Sequence, residues 1–367
     1  MRTFSFLLLL ALLGACQPPA QQRAEATAQT DASPTSDSLR YPEEVHLRNV
    51  RQFTFGGNNA EAYFSFDDEA LVFQREYKEQ GLPCDQIYWA EIPGPGQPFA
   101  PQRVSNGQGR TTCAYFYPGG DTIIYASTHL ADTACPPAID RSQIKKYVWP
   151  IYDSYEIFLA NRAGEPLAQL TDNDAYDAEA TLSPQGDLIV FTSTRDGDLD
   201  LYTMRLDGSD VHRVTDGLGY DGGAFFSPDG SKLIFRASRP QTDEAKAEYR
   251  ELLAQGLVAP TNMELYICEV DGSNLRRITE LGSANWAPFF HPSGDKVIFS
   301  SNHASGGRTF NLFMVNLDGS GLEQITYDTE FDAFPMFSHD GSMLVWSSNR
   351  HNGDTRHTNL FLADWVE

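Results

Sequence analysis

The stretch YDGGAFFSPDGSKLIF, residues 220–235, sets two short apolar runs on either side of a Ser-Pro-Asp-Gly turn. Close variants recur as TLSPQGDLIVF (181–191), FFHPSGDKVIF (289–299) and MFSHDGSMLVW (336–346). Weaker copies, YFSFDDEALVF (63–73) and YFYPGGDTIIY (115–125), precede them, which makes six. The turn residues have separate physical roles. Pro presets φ for the second turn position, Asp bonds its own backbone, and Gly takes positive φ without a Cβ clash.

Each copy continues alike. A β-rich run follows the turn and ends in a small or polar group such as TSTR (192–195), SSNH (300–303) or SSNR (347–350). A second apolar run comes next, as in DLYTMRLDG (200–208) and NLFMVNLDG (311–319), whose Asp-Gly pairs are hairpin turns. A short strand ending in Thr closes the unit: VHRVT (211–215), LRRIT (275–279), LEQIT (322–326). Four short strands in a unit of roughly 45 residues are the signature of a propeller blade. The last copy stops after its third strand at NLFLADW (359–365), and VHLRNVRQFT (45–54) matches the missing fourth. The expected fold is therefore all-β: a six-bladed β-propeller over residues 45–367. Each blade has four antiparallel strands, and the N-terminal strand closes the last blade.

On these motifs the repeats resemble those of TolB-type propellers, the WD-like β-propeller repeat family, across residues 45–367. The resemblance is specific for fold and weak for function, because such propellers serve as scaffolds, as partners of serine peptidases and as some lyases. Two departures matter. TolB proteins carry an N-terminal α/β domain, whereas a tether is expected here. Peptidase relatives add a hydrolase domain, and no G-x-S-x-G elbow occurs in this chain.

The N-terminus reads as an address. MRTFSFLLLLALLGAC has one Arg, an apolar run and small residues before Cys16. The expectation is a signal peptide over 1–15, lipid attachment at Cys16 and a flexible lipidated tether over 16–44, rich in Pro, Gln, Ala, Ser and Thr. The implied location is the bacterial cell envelope: the periplasm, with the lipid holding the chain to the outer membrane and no other membrane contact. A net charge of −23 argues against nucleic acid and favours a basic partner.

Aligning the blade entries puts Asn59, Thr111, Asp177, Asp221, Asn285 and Asp332 on one ring at the channel mouth, with Glu61 and Glu179 two residues further along. All of these but Thr111, seven in number, are the candidate ligand-binding residues. The competing reading gives the ring hydrogen bonds that fix blade spacing. His129, His303 and His351 fall in loops of the same face and are the candidate ligands of a divalent metal, although close ligand spacing is missing. The residues themselves require no cofactor. RDGDLDLY (195–202) alternates Asp with other residues, and a turn is the better reading than a Ca²⁺ loop. Cys84, Cys113 and Cys135 all fall near that face. A Cys84–Cys135 and a Cys113–Cys135 disulfide are both compatible with the sequence.

Two long loops break the repeat: residues 130–154 in blade two, and a segment of blade four with a helix expected over 243–256. Long insertions on one face point to recognition. The expected function is an envelope-anchored, monomeric scaffold that binds an envelope protein or a basic peptide segment. The alternative is a metal-dependent lyase or hydrolase acting on an acidic sugar or oligosaccharide.

Overall fold

The computed structural model describes residues 38–140, 144–353 and 355–367. The signal peptide, Cys16 and the tether up to residue 37 lie outside the described residues. The chain forms six four-stranded antiparallel sheets in chain order, each one blade. Blade three shows the pattern with strands Asp177–Leu182, Leu188–Ser193, Asp200–Arg205 and His212–Arg213. Its first three strands are almost wholly buried, because both sheet faces pack against neighbouring blades.

The repeated turn does what its residues imply. In blade four Gly230 takes φ 73°, and Asp229 Oδ1 accepts from the Ser227 hydroxyl at 2.6 Å and the Ser231 N–H at 3.0 Å. Blade six repeats this through Ser338, Asp340, Gly341 and Ser342. The Thr or Ser that ends each outer strand has an equally specific job. Its hydroxyl accepts the backbone N–H of the facing third strand at 2.9 Å, from Ser105 to Ile87, Thr171 to Ile157, Thr215 to Leu201, Thr279 to Leu265 and Thr326 to Leu312. The hydroxyl thereby supplies an acceptor where the short outer strand ends.

Thr54 makes the sixth such bond, to Leu360 N–H. It belongs to the closing strand Leu47–Gln52, which pairs antiparallel with Asn359–Trp365 from Leu47 opposite Trp365 to Gln52 opposite Phe361. Joining the two ends of the domain in one sheet removes the free edges that an open array would expose. The closing segment also begins earlier than the strand. Leu39 and Glu44, assigned to the tether by sequence, are buried, and Tyr41 Oη donates to Asp328 at 2.7 Å.

The blade-four insertion contains the helix Asp243–Leu253, capped by the Thr242 hydroxyl accepting from Ala245 N–H. It ends at Leu253, three residues short of the expected end at Gly256, which turns the chain out at φ 67°. Its next strand, Leu257–Val258, pairs with Trp149–Pro150 of the blade-two insertion. Ile151 N–H donates to Gly256 O at 2.7 Å, and Lys146 pairs with Glu248 at 2.5 Å. The insertions of blades two and four thus join into one cap on the face where the inner strands begin. A Cys84–Cys135 disulfide ties this cap to blade one, while Cys113 and Cys268 are free thiols. Among the described residues no helix is long and apolar enough to cross a membrane.

Candidate functional site

Every inner strand carries a bulge, seen as a register shift against its second strand. At the bulge one residue adopts positive φ: Glu61 at 53°, Cys113 at 49°, Glu179 at 60°, Gly223 at 60°, Ala287 at 46° and Phe334 at 56°. A bulge re-aims the side chain it holds. These six residues come together around the central channel, and all but Gly223 line the floor of a cavity of about 730 Å³ beneath the cap. Unlike the turns, the ring is chemically uneven. Blades one to three supply Glu, Cys and Glu, and blades four to six supply Gly, Ala and Phe.

The two halves of the cavity differ accordingly. One side is polar, with Gln74, Asp85, Arg110 and Thr112 near Glu61. The other is a run of aromatic rings. Trp149 lies 5.1 Å from Trp286, Trp286 stacks on Phe310 at 4.3 Å, Phe310 meets Phe331 at 5.6 Å, and Phe331 meets Phe334 at 6.5 Å. A concave, largely aromatic cavity with a few convergent polar groups is the usual form of a ligand site.

Glu179 is locked. Arg236 pairs with it, Tyr220 Oη donates at 2.6 Å, Thr192 Oγ1 at 2.8 Å and Gly223 N–H at 2.8 Å. Burial works to raise its carboxyl, but Arg236 and these donors outweigh that and hold it below the ordinary glutamate value. The double glycine of YDGGAFF makes the room. A Cβ at Gly223 would overlap Arg236 Nη1, and one at Gly222 would overlap the Glu179 carboxylate. The Arg236 guanidinium also lies 5.5 Å from the Trp149 ring and 5.0 Å from Tyr220.

Glu61 is in a different state. It accepts from the Cys113 thiol and makes no ion pair among the described residues. Burial, reinforced by the charges of Glu179 and Asp85, pushes its pKa up to about 7. Burial likewise raises Asp85 to about 6, against the pull of Arg110 at 3.4 Å. The Cys113 thiol is pushed well up by burial and by Glu61 and Glu179, so it is a donor rather than a thiolate.

Of the seven residues expected at the mouth, Glu61 and Glu179 line the cavity. The other five are fully buried between blades. Asp177 receives Arg195 Nη2 at 3.0 Å, Asp221 receives Arg239 Nη2 at 2.8 Å, and Asp332 receives Arg350 Nη2 at 2.8 Å. Asn59 donates to Gly56 O and Thr358 O, and Asn285 to Met263 O and Gly282 O. These contacts are the blade-spacing role that competed with ligand binding at the level of sequence.

The histidines are dispersed. His129 bonds Ser127 Oγ and packs 4.4 Å from Phe158, His303 does the same with Ser301 and Phe313, and His351 stacks 5.8 Å from Tyr41. Burial lowers the pKa of His129 and His303. Among the described residues no three His, Cys, Asp or Glu side chains gather into a set able to hold a metal ion. The aspartates of RDGDLDLY are also committed: Asp196 to Tyr202, Asp198 to Tyr249 and Gly219, Asp200 to Arg213.

Of the bulge residues, Glu61 and Glu179 are legible in the sequence, whereas the roles of Cys113, Gly223, Ala287 and Phe334 and the joining of the rings into one aromatic run are not. A signal existed two positions beyond the Asn/Asp ring, where the repeats stop agreeing with one another.

Comparison with known proteins concerns mainly the scaffold. A search of curated sequences finds no match. Among solved structures, a protein of Agrobacterium tumefaciens assigned as a TolB is 21% identical, over 85% of this chain and 91% of that one, with a TM-score of 0.53. TolB from Acinetobacter baumannii is 19% identical, over 85% of this chain and 64% of that one, with a TM-score of 0.52. An oligogalacturonate lyase in complex with manganese reaches 13% identity and a TM-score of 0.47, over 87% and 93% of the two chains, a likeness too loose to bear on chemistry. Residues 150–255 match the family model described as the TolB beta propeller domain. At these identities the solved structures bear on the fold alone, which the six blades share, and the likeness to the TolB beta propeller domain lies in residues 150–255.

Proposed function

We propose that this protein is a binding scaffold of the bacterial envelope that recognises a protein or peptide segment on its capped face. The observation that carries the reading is the cap itself. Two insertions from blades that are not neighbours are joined by strand pairing and an ion pair beside a cavity of about 730 Å³, and a disulfide ties one of them to blade one. A fold that only needed to close would gain nothing from so much structure on one face. An envelope location is supported by the signal-like N-terminus, by the likeness to the TolB beta propeller domain, and by a disulfide, which persists in oxidising compartments. The strongly negative chain favours a basic partner through longer-range attraction.

The test is photo-crosslinking in intact envelopes. A crosslinking amino acid is placed at Tyr147, half exposed in the cap, or at Ser231 in a turn of the opposite face. The reading expects a discrete adduct from position 147 that is missing from position 231. Identical adducts from both faces, or none from the cap, would refute it.

A further inference from the structure

The floor of the cavity can be accounted for charge by charge. Glu179 is answered by Arg236, and Asp85 by Arg110. Glu61 has no ion pair among the described residues, and Arg236, already paired with Glu179, only partly offsets its charge. Arg308 stands at the exposed rim, where water solvates it. A half-buried carboxylate whose charge is only partly offset is stabilised further by a cation that a ligand supplies.

The neighbours of Glu61 indicate what that ligand is. Ring order places Phe334 of blade six on one side of it and Cys113 of blade one's other neighbour on the other. From Phe334 the aromatic run climbs through Phe331, Phe310 and Trp286 to Trp149 in the cap. An apolar stem can lie along such a wall while a charged head reaches the carboxylate. Aromatic faces also attract cations directly.

We propose that this cavity binds a primary alkylammonium group, with Glu61 as its counter-ion and the Trp149-to-Phe334 run as the wall for its stem. A point-like ammonium suits a single carboxylate already engaged by the Cys113 thiol. A planar guanidinium fork asks for two aligned acceptors. The inference rests on the cavity being the ligand site of the scaffold described above. It narrows the chemistry to an amine carried on an apolar chain, whether a lysine side chain or a free diamine.

The test is calorimetric titration of the folded protein with three probes: Nα-acetyl-lysine-N-methylamide, cadaverine and Nα-acetyl-norleucine-N-methylamide. At least one ammonium probe is expected to bind, and the norleucine probe, which lacks the charge, is not. Glu61→Gln is expected to weaken ammonium binding roughly 10- to 100-fold, the range for losing a hydrogen bond to a charged group. Binding of the lysine probe alone would identify a polypeptide as the source, and of cadaverine alone a free amine. Either outcome supports the ammonium site. Equal binding of the norleucine probe, full affinity in Glu61→Gln, or no binding by either ammonium probe would overturn it. If Glu61→Gln does not fold, Phe334→Leu takes its place and is expected to weaken ammonium binding several-fold. Cap crosslinking is read separately, so a scaffold with a different ligand remains distinguishable from no scaffold at all.

Discussion

Glu44 and Arg350 form an ion pair at 2.8 Å with both side chains fully buried, although 306 residues separate them in the chain. Arg350 also holds Asp332 at 2.8 Å and donates to Leu39 O at 3.1 Å. The closing strand is therefore reinforced by a buried ionic contact between the same two ends of the domain. Removing one partner of such a cluster leaves a buried charge under-compensated. Glu44→Ala is expected to cost about 3 kcal/mol of stability. Urea denaturation checks this, and a change within experimental scatter would mean that the strand alone closes the ring.

The Asp–Arg pairs repeat in blades three, four and six, as Asp177 with Arg195, Asp221 with Arg239, and Asp332 with Arg350. Where the first member is Thr111 or Asn285, the second position holds His129 or His303. This correspondence marks a structural device. Asp177→Asn is expected to lower stability by about 1–2 kcal/mol and to leave binding on the capped face unchanged. Paired denaturation and ligand titration separate the two effects.

Gly223 combines a φ of 60° with a site that Arg236 fills. Gly223→Ala is expected to displace the guanidinium from Glu179 and to cost at least about 2 kcal/mol, from strained backbone and a broken buried pair together. Gly197, also at positive φ but with open space around it, is the control. Its Ala variant is expected to lose only the backbone share, about 1 kcal/mol. Equal losses would mean that Arg236 moves freely.

The raised Glu61 has a pH signature. Its folded pKa of about 7 lies above the ordinary value of 4.5, so the folded state holds the proton more tightly than the unfolded one. Stability is then lost as pH rises from about 4.5 to 7. Glu61→Gln removes that loss, so the variant is expected to gain on wild type between pH 5 and pH 8. The gain should be of order 1–3 kcal/mol. A constant difference across that range would show that Glu61 is ionised throughout. The groups facing it are Cys113, Glu179, Arg236 and Asp85.

The disulfide closes a loop with a sequence separation of 51. Chain-entropy reasoning gives it about 4 kcal/mol. Cys135→Ser is expected to speed proteolysis within residues 130–154 while the blades keep their β-sheet circular dichroism. Unchanged cleavage would show that pairing with Leu257–Val258 holds the cap unaided.

The propeller was legible because its determinants are local. Ser-Pro-Asp-Gly in 227–230 and Asp-Gly in 207–208 fold their own turns, and strand alternation is set by neighbours two residues apart. Repetition then fixed the blade count, and the incomplete last repeat pointed to residues 45–54 as its partner. The helix was legible for the same reason, since its leading acids and the spacing of Tyr249, Leu252 and Leu253 are local, and the two insertions break a visible period. The site was not local. Whether an acid at a blade entry faces water or an arginine depends on where residue 195, 239 or 350 arrives, and that is decided by sheet register. Asp177 and Glu179 are two residues apart, yet a bulge sends one into the blade interface and the other to the channel floor. Only closure of the ring sets Phe334 beside Glu61, and only the pairing of two distant insertions brings Trp149 over Arg236. Contacts of that kind belong to the assembled sheets, because no segment contains both partners.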